Sequence, residues 1–329
     1  MFDIYKINLQ LFADLNTKVT GDAGLSVENK TFYDMNLIDE ATPNLIHDQF
    51  GQKRPIPKNG GKRIEFRKFA SLPKALTPLT EGVTPDGKKL SVSAIEAEVA
   101  QYGDYIVQSD VLELTSIDNT IVEATKILGN QAGLTLDTIT RNVLQGGTNV
   151  YYCPKKDGTA VTSRTGLDNT CVLTVDVIKR AVAIMKKNNA PKINGDYVAI
   201  IHPFAAYDLM SDPAWIEAHK YATPDNIYEG EIGKIAGVRF VESSEAKVYT
   251  GGVFGTLLIA DGAYGVTEIT GGGLQTIIKQ LGSAGTADAL NQRSSIGWKA
   301  IKTAERLVEA YLMRIESKSA LSGEITEEN

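Results

Sequence analysis

Ser116–Gly147 reads SIDNTIVEATKILGNQAGLTLDTITRNVLQGG, and its pattern organises the rest of the chain. Ile121, Ala124, Ile127, Leu128, Ala132, Leu136, Ile139 and Val143 recur at steps of three, four or their sums, the repeat of a helix with one buried stripe. Ser116 or Asp118 offers a side-chain oxygen for the N-cap, and Gly146–Gly147 offers a left-handed turn at the other end. At 1.5 Å per residue the helix would be roughly 40 Å long, a structural spine rather than a catalytic element. Gly129 and Gly133 each weaken it by about 1 kcal/mol relative to alanine, which points to a bend or a close-packed neighbour.

Outward from the spine, the N-terminal 60 residues have little that could form a core of their own. Thr17–Gly24 is polar, and Val27–Ala41 predicts a short amphipathic helix that Pro43 stops. PIPKNGG (Pro55–Gly61) breaks the chain. An arm of this kind needs a surface to lie on, in the same subunit or a neighbour, and the stretch before Pro55 is expected to lie across a neighbouring subunit. Residues 62–110 are β-rich: GKRIEFRKF sets Ile64, Phe66 and Lys68 against Arg63, Glu65, Arg67 and Phe69. Leu76–Val83 and Leu90–Val99 flank Thr84-Pro85-Asp86-Gly87, whose chemistry predicts the turn of a long hairpin. With few large apolar groups, that hairpin cannot stabilise itself.

Beyond the spine, Lys155-Lys156-Asp157-Gly158 predicts a tight turn, and Thr174–Asn188 an amphipathic helix buried through Val177, Ile178, Ala181, Val182 and Met185. Asp196–Ile201, Lys234–Glu242 and Val253–Ala260 predict strands, and Pro203–Met210 and Pro213–Tyr221 short helices. This alternation indicates an α/β layer. In the last segment Ile296, Trp298 and Ala300 alternate like a strand, whereas Ala304, Leu307, Val308, Tyr311, Leu312 and Ile315 have helical spacing. Periodicity alone favours a helix from Thr303.

Length (329 residues), 43% apolar and 22% charged content describe a globular chain of one large or two ordinary domains. A net charge of −6 argues against a binder that works by neutralising phosphates. Cys153 and Cys171 read as ordinary thiols of a reducing compartment. No segment approaches the ~20 apolar residues of a membrane span, and MFDIYKINLQLFAD lacks the pattern of a signal peptide.

Motifs that carry chemistry are sparse. His47, His202 and His219 are far apart, and His202 at a strand end is the best catalytic candidate, weighed against a capping role. Gly271–Gly273 and Gly282–Gly285 read as turns, lacking the Lys-Ser pair of a P-loop. Lys53, Arg54, Lys58, Lys62, Arg63, Arg67, Lys68 and Lys74 form a basic run. It reads as a solvated strand face or as an inter-subunit salt-bridge belt. No catalytic, cofactor-binding or metal-binding residue is assigned. The candidate inter-subunit contacts are Arg63, Arg67, Lys68, Lys88, Lys89, Glu96, Glu98 and Asp104.

Several segments in order resemble major capsid proteins of tailed phages and prophages of Gram-positive bacteria. They are NLQLFAD, PNLIHDQFGQKRPIPKNGGKRIEFRKF, LPKALTPLTEGVTPDG, QYGDYIVQSDVLE, LDTITRNVLQGGTNV, EGEIGKIAGVRFVES and IGWKAIKTAERL. The resemblance implies an α+β Hong Kong 97-like fold: an arm (1–60), an extended loop with flanking strands (61–110), a peripheral domain with the spine (111–172), an axial domain (173–285), and return strands to the peripheral domain with a tail (286–329). It also implies strands at Ser295–Lys302 and Val308–Glu316, against the helical spacing there. The implied function is a shell subunit assembling as hexamers and pentamers around double-stranded DNA, in the virion after assembly in the host cytoplasm. The arm is too short for a built-in helical scaffold, so a separate scaffolding protein is expected, together with a portal protein and no sequence-specific DNA contact, cofactor or membrane. An encapsulin-type cage and a cytosolic α/β hydrolase using His202 are the alternatives. Lys88 and Lys89 lack a recognisable asparagine and acid for a lysine–asparagine cross-link, so that chemistry is not carried over.

Overall fold

A computed structural model describes residues 37–38, 40–41, 44–69, 72, 74–79, 81–84, 86–115, 120–220, 233–283, 288–321, 323 and 329. Most of the arm, including Val27–Asn36, and the candidate caps Ser116 and Asp118 lie outside them. The strands in chain order are β1 (Gln52–Lys53), β2 (Arg63–Phe69), β3 (Val92–Glu98), β4 (Ala100–Ser109), β5 (Val150–Tyr152), β6 (Tyr197–Ile201), β7 (Lys234–Ile235), β8 (Val238–Glu242), β9 (Val248–Tyr249), β10 (Val253–Ile259), β11 (Tyr264–Glu268), β12 (Gln275–Lys279), β13 (Arg293–Arg306) and β14 (Leu312–Ser317). Helices cover Asp110–Thr115, Thr120–Gln145, Val175–Lys187, Pro203–Met210 and Pro213–Lys220. The chain divides into two compact units, one of Met1–Thr42, Gly103–Gln131 and Leu274–Lys299, the other of Pro43–Tyr102, Ala132–Gly273 and Ala300–Asn329.

In the second unit a sheet runs β5-β14-β10-β6-β8-β7, with β9 on β10, seven strands among the described residues. β6 is parallel to β8 and antiparallel to β10, and β14 is antiparallel to β10 and parallel to β5. Every residue of β6 and β10 is buried. Tyr197, Ala199, Ile201, Phe254 and Leu258 pack on one face with the helix Val175–Lys187. Ile200, Leu257 and Ile259 pack on the other with Leu144 and Tyr264. A strand buried on both faces must be apolar throughout, which is why these segments read as continuous runs. The helix Val175–Lys187 buries the expected stripe, and Thr174 Oγ1 accepts from Val177 N at 3.5 Å.

The spine ends in this unit, and its closure corrects the expected left-handed glycine turn: neither Gly146 nor Gly147 has a positive φ. Gly146 N donates to Asn142 O and Val143 O, and Gly147 N to Leu144 O, a tightened last turn. Two guanidinium groups from the C-terminal strands finish it, Arg306 donating to Val143 O and Arg314 to Gln145 O and Gly147 O. These cations satisfy carbonyls at the negative end of the helix dipole. A Cβ on Gly146 would come within 2.9 Å of the Arg306 guanidinium, so a larger residue there would make that side chain shift.

In the first unit, Leu37 and Ala41 are buried, and a Cβ on Gly129 would lie 2.9 Å from Leu37 O and 3.0 Å from Glu40 Cβ. The close-packed neighbour accounts for that glycine. Ile127 departs from the expected stripe and is exposed, while Leu128 carries the burial. β12 pairs antiparallel with β13 from Gln275↔Lys299 to Lys279↔Ser295. Gln131 joins Asp104 Oδ2 at 2.7 Å to the indole N–H of Trp298 at 3.2 Å.

One expectation about β structure needs correction. Leu76–Val83 forms no strand; β2 pairs with β3 instead, from Arg63↔Glu98 to Phe69↔Val92, so the hairpin closes through a loop of residues 70–91. Pro73, Pro78 and Pro85 deprive that loop of ladder donors. In the last segment strands follow where the resemblance implies them, against the helical spacing after Thr303. β13 runs through Arg306, a 3-10 turn takes Glu309–Tyr311, and β14 follows. The break shifts the alternation by one, which let two strands imitate a helical stripe. β14 belongs to the seven-stranded sheet, whereas β13 pairs with β11, β12 and β4 in the other.

Candidate functional site

The hairpin β2–β3 lies in the second unit and, among its described residues, buries only Phe66 and Ala97. Phe66, Ala97 and Val99 are buried, and Arg54 stacks 5.7 Å from the centre of the Phe66 ring. Above that, Leu72, Leu76, Leu79, Val83, Leu90 and Val92 are exposed, Leu76 by 83% and Leu79 by 76%. A row of large apolar groups presented to water in one loop marks a surface built to be covered.

The candidate contact residues fall into distinct settings. Arg63 Nε donates to Glu98 at 3.3 Å, and its Nη1 lies 3.8 Å from Glu96, across the ladder. Arg67 is paired with Glu65 at 3.2 Å, which raises its pKa through the hydrogen bond and the charge. Lys88 and Lys89 are exposed on the loop, and the structure describes only the backbone of Lys68. Asp104, in the first unit, accepts from Gln131 and from Tyr105 N at 2.8 Å, and those bonds lower its pKa. The structure thus brings Arg63, Glu96 and Glu98 together within one chain.

Each candidate for chemistry resolves into structure. His202 is the N-cap of Pro203–Met210: its Nδ1 accepts from Phe204 N at 3.2 Å. Its ring packs 4.8 Å from Phe254, and burial pushes its pKa down to about 4. His47 is fully buried, with Nδ1 2.6 Å from Asp137 Oδ2 and its backbone N–H donating to Asp137 Oδ1 at 2.7 Å. His47 O accepts from Tyr264 Oη, and neighbouring Asp48 accepts from Thr140 and Lys302. β1 then runs parallel to β11, and Ile56 N donates to Glu268 O. Residues 44–56 are therefore stitched into their own subunit, which corrects the expectation that everything before Pro55 lies on a neighbour. Sequence reasoning missed this cluster because its partners lie 90 or more residues apart; a buried acid inside an apolar helix stripe, Asp137, was the available signal. The side chain of His219 lies outside the described residues. Gly272 N closes a tight turn on Ile269 O, as the turn reading of Gly271–Gly273 expects. Among the described residues no group of three or more His, Cys, Asp and Glu is placed to hold a metal. No helix among them is long and apolar enough to cross a membrane.

The model of the family described as phage capsid protein matches residues 29–287. The chain belongs to that family. The structure is similar to the capsid of cyanophage Pam1 at 15% identity and a TM-score of 0.65, covering 84% of this chain and 92% of that one. It is similar to the capsid of cyanophage P-SCSP1u at 16% identity and 0.64, and to that of Ralstonia phage GP4 at 16% and 0.62. Both comparisons cover 82% of this chain and 87% of the other. No curated protein matches the chain by sequence. The fold is therefore the Hong Kong 97-like capsid fold, and the chain is a structural subunit of a phage shell, a major capsid protein rather than an enzyme.

Proposed function

We propose that this subunit assembles as hexamers and pentamers into an icosahedral shell around double-stranded DNA, with the loop of the β2–β3 hairpin laid on an adjacent subunit. The carrying observation is the exposure of Leu72, Leu76, Leu79, Val83 and Leu90 on a hairpin that, among its described residues, buries only Phe66 and Ala97. Apolar area of that kind is stabilised at about 25 cal/mol per Å² when a partner covers it. Arg63, Arg67, Lys68, Lys88, Lys89, Glu96, Glu98 and Asp104 then contribute polar contacts between subunits, with Arg63 and Arg67 exchanging internal partners for those of a neighbour. The seven-stranded layer corresponds to the axial domain, and the spine to the peripheral one. A separate scaffolding protein guides assembly in the host cytoplasm, a portal protein occupies one vertex, and the net charge of −6 per subunit keeps packaged DNA from being gripped.

Deleting residues 80–91 tests the reading. The variant should fold, with an unchanged unfolding midpoint, and form no closed particles by electron microscopy. Closed shells from that variant would overturn the assignment of the loop to assembly.

A further inference from the structure

β14 carries one feature that shell assembly leaves unused. Tyr152 is opposite Glu316 in the β5–β14 ladder, with Cys153 N donating to Glu316 O at 3.0 Å. Val172 is opposite Lys318, with Lys318 N donating to Cys171 O at 2.9 Å. Backbone groups two residues apart on a strand face the same edge, so both partners lie on the edge of β14 away from β10. Cys153 is thus one residue after one pairing and Cys171 one residue before the next. Both fall at the rung of Ser317.

Their side chains also share a face. Residues opposite one another across a ladder project to the same side, and alternate residues repeat it. Met313, Ile315 and Phe254, the partner of Ser317, lie in one core cluster that also contains Cys153 and Cys171. Both thiols are fully buried and free. Ser317 Oγ, at the same rung, is buried without a hydrogen-bond partner. Tyr152 and Val172 stand beside residues two apart on β14, about 7 Å at ~3.3 Å per residue, and the two cysteines follow and precede them in the gap between, where Cα atoms can meet the range of about 4.4–6.8 Å that a disulfide spans.

We propose that Cys153 and Cys171 are a latent disulfide pair that closes the loop 154–170 after the chain meets a low-molecular-weight disulfide oxidant. The Cys171 thiolate attacks the oxidant's sulfur, forming a mixed disulfide and releasing one small thiolate. The Cys153 thiolate then attacks the Cys171 sulfur, forming the internal bond and releasing the second. The two protein thiol protons pass to the two released thiolates, so two electrons leave the protein and reduce the oxidant. Cys171 reacts first because it directly follows exposed Asn169 and Thr170, so a local opening of that turn reaches it before Cys153, although the Asp168 carboxylate beside its sulfur slows the step by disfavouring the thiolate. Burial raises both thiols, so the reaction is slow and quickens with pH. The bond forms after the particle leaves the reducing cytoplasm; that timing, unlike the bond, rests on the shell reading.

The test uses the full-length chain incubated with oxidised glutathione, then denatured, alkylated and mapped by mass spectrometry without reductant. The expected product is a peptide pair joined through Cys153 and Cys171, lighter by two hydrogens, with both free thiols lost and the unfolding temperature raised by a few degrees. Cys153→Ala should stop at glutathione on Cys171. Two alkylatable thiols in the treated wild type, glutathione persisting on Cys171, or a bond between copies would each overturn the proposal. None of these readouts depends on shell formation.

Discussion

β10 and the hairpin β2–β3 are both β structure in one unit, yet they answer to opposite constraints. β10 is buried at all seven positions and paired on both edges, with apolar groups above and below. β3 is exposed at five of its seven positions, and its sheet contains β2 alone among the described residues. An isolated two-stranded ribbon is marginal in water. One subunit therefore holds a layer that is complete in itself and a ribbon whose stabilising surface lies outside the chain. Changes in the first should appear as lost stability of the monomer, and changes in the second as lost association.

The largest effect falls in the seven-stranded layer at Glu316. Its carboxylate is fully buried and accepts from Arg164 at 2.7 and 2.6 Å and from Arg314 at 2.8 Å. Glu316→Ala leaves two guanidinium groups facing each other without their counter-charge. Losing one member of a buried ionic cluster costs about 3–5 kcal/mol. Arg164 is 37% exposed and regains some hydration, so the lower end applies. Denaturant unfolding of the unassembled subunit measures it, and a loss under 1 kcal/mol would show that the layer does not depend on this charge.

A smaller effect in the same layer is a pH dependence. The pKa of His202 lies at about 4 in the folded chain because burial disfavours its charge, against an ordinary value near 6.5. The unfolded chain therefore takes up the proton first as pH falls. The stability this group contributes is complete above pH 6.5 and is lost between there and pH 4. His202→Asn keeps an acceptor for Phe204 N but no titrating ring. The wild type should lose more stability than the variant over that window, measured by thermal unfolding; parallel curves would remove His202 from the account.

How far sequence carried the fold follows the same division. The helix Val175–Lys187 and strand β6 were legible because their burial is local and periodic, each residue reporting its own face. The spine was legible, but its ends were not. Arg306 and Arg314 reach its last carbonyls from more than 160 residues away, and no local pattern encodes that. β11 and β12 escaped notice because both are short, with Gly265 inside β11 and Gly262 and Gly271–Gly273 beside them, a composition that signals turns. The partner of β2 was misplaced for a related reason. Register across a loop is set by which faces are buried, here Phe66 opposite Ile95, and not by the turn chemistry of Thr84–Gly87. The contact surface was legible only in outline: the expectation of few large apolar groups is corrected by Leu72, Leu76, Leu79, Val83 and Leu90, which are present but exposed.

The smallest effect on the monomer should come from the hairpin charges, and there the comparison can be sharpened most. Arg63 is 69% exposed in its side chain, as is Glu96, and such pairs contribute about 0–1 kcal/mol. Arg63→Glu with Arg67→Glu should therefore leave the unfolding midpoint of the subunit nearly unchanged. The same double change places five acidic groups, with Glu65, Glu96 and Glu98 already present, on one short ribbon. If that ribbon meets a neighbour, repulsion repeats at every interface of a symmetric assembly, and its sum governs association. The repulsion is screened as the Debye length falls to about 3 Å at 1 M salt. Light scattering should then show weakened assembly of the variant at low salt and recovery as salt rises, while wild-type assembly weakens over the same range. A variant that assembles like wild type at every ionic strength would leave the hairpin charges paired within their own chain, as Arg63 is with Glu98, and the association energy would belong to the exposed leucines of the loop.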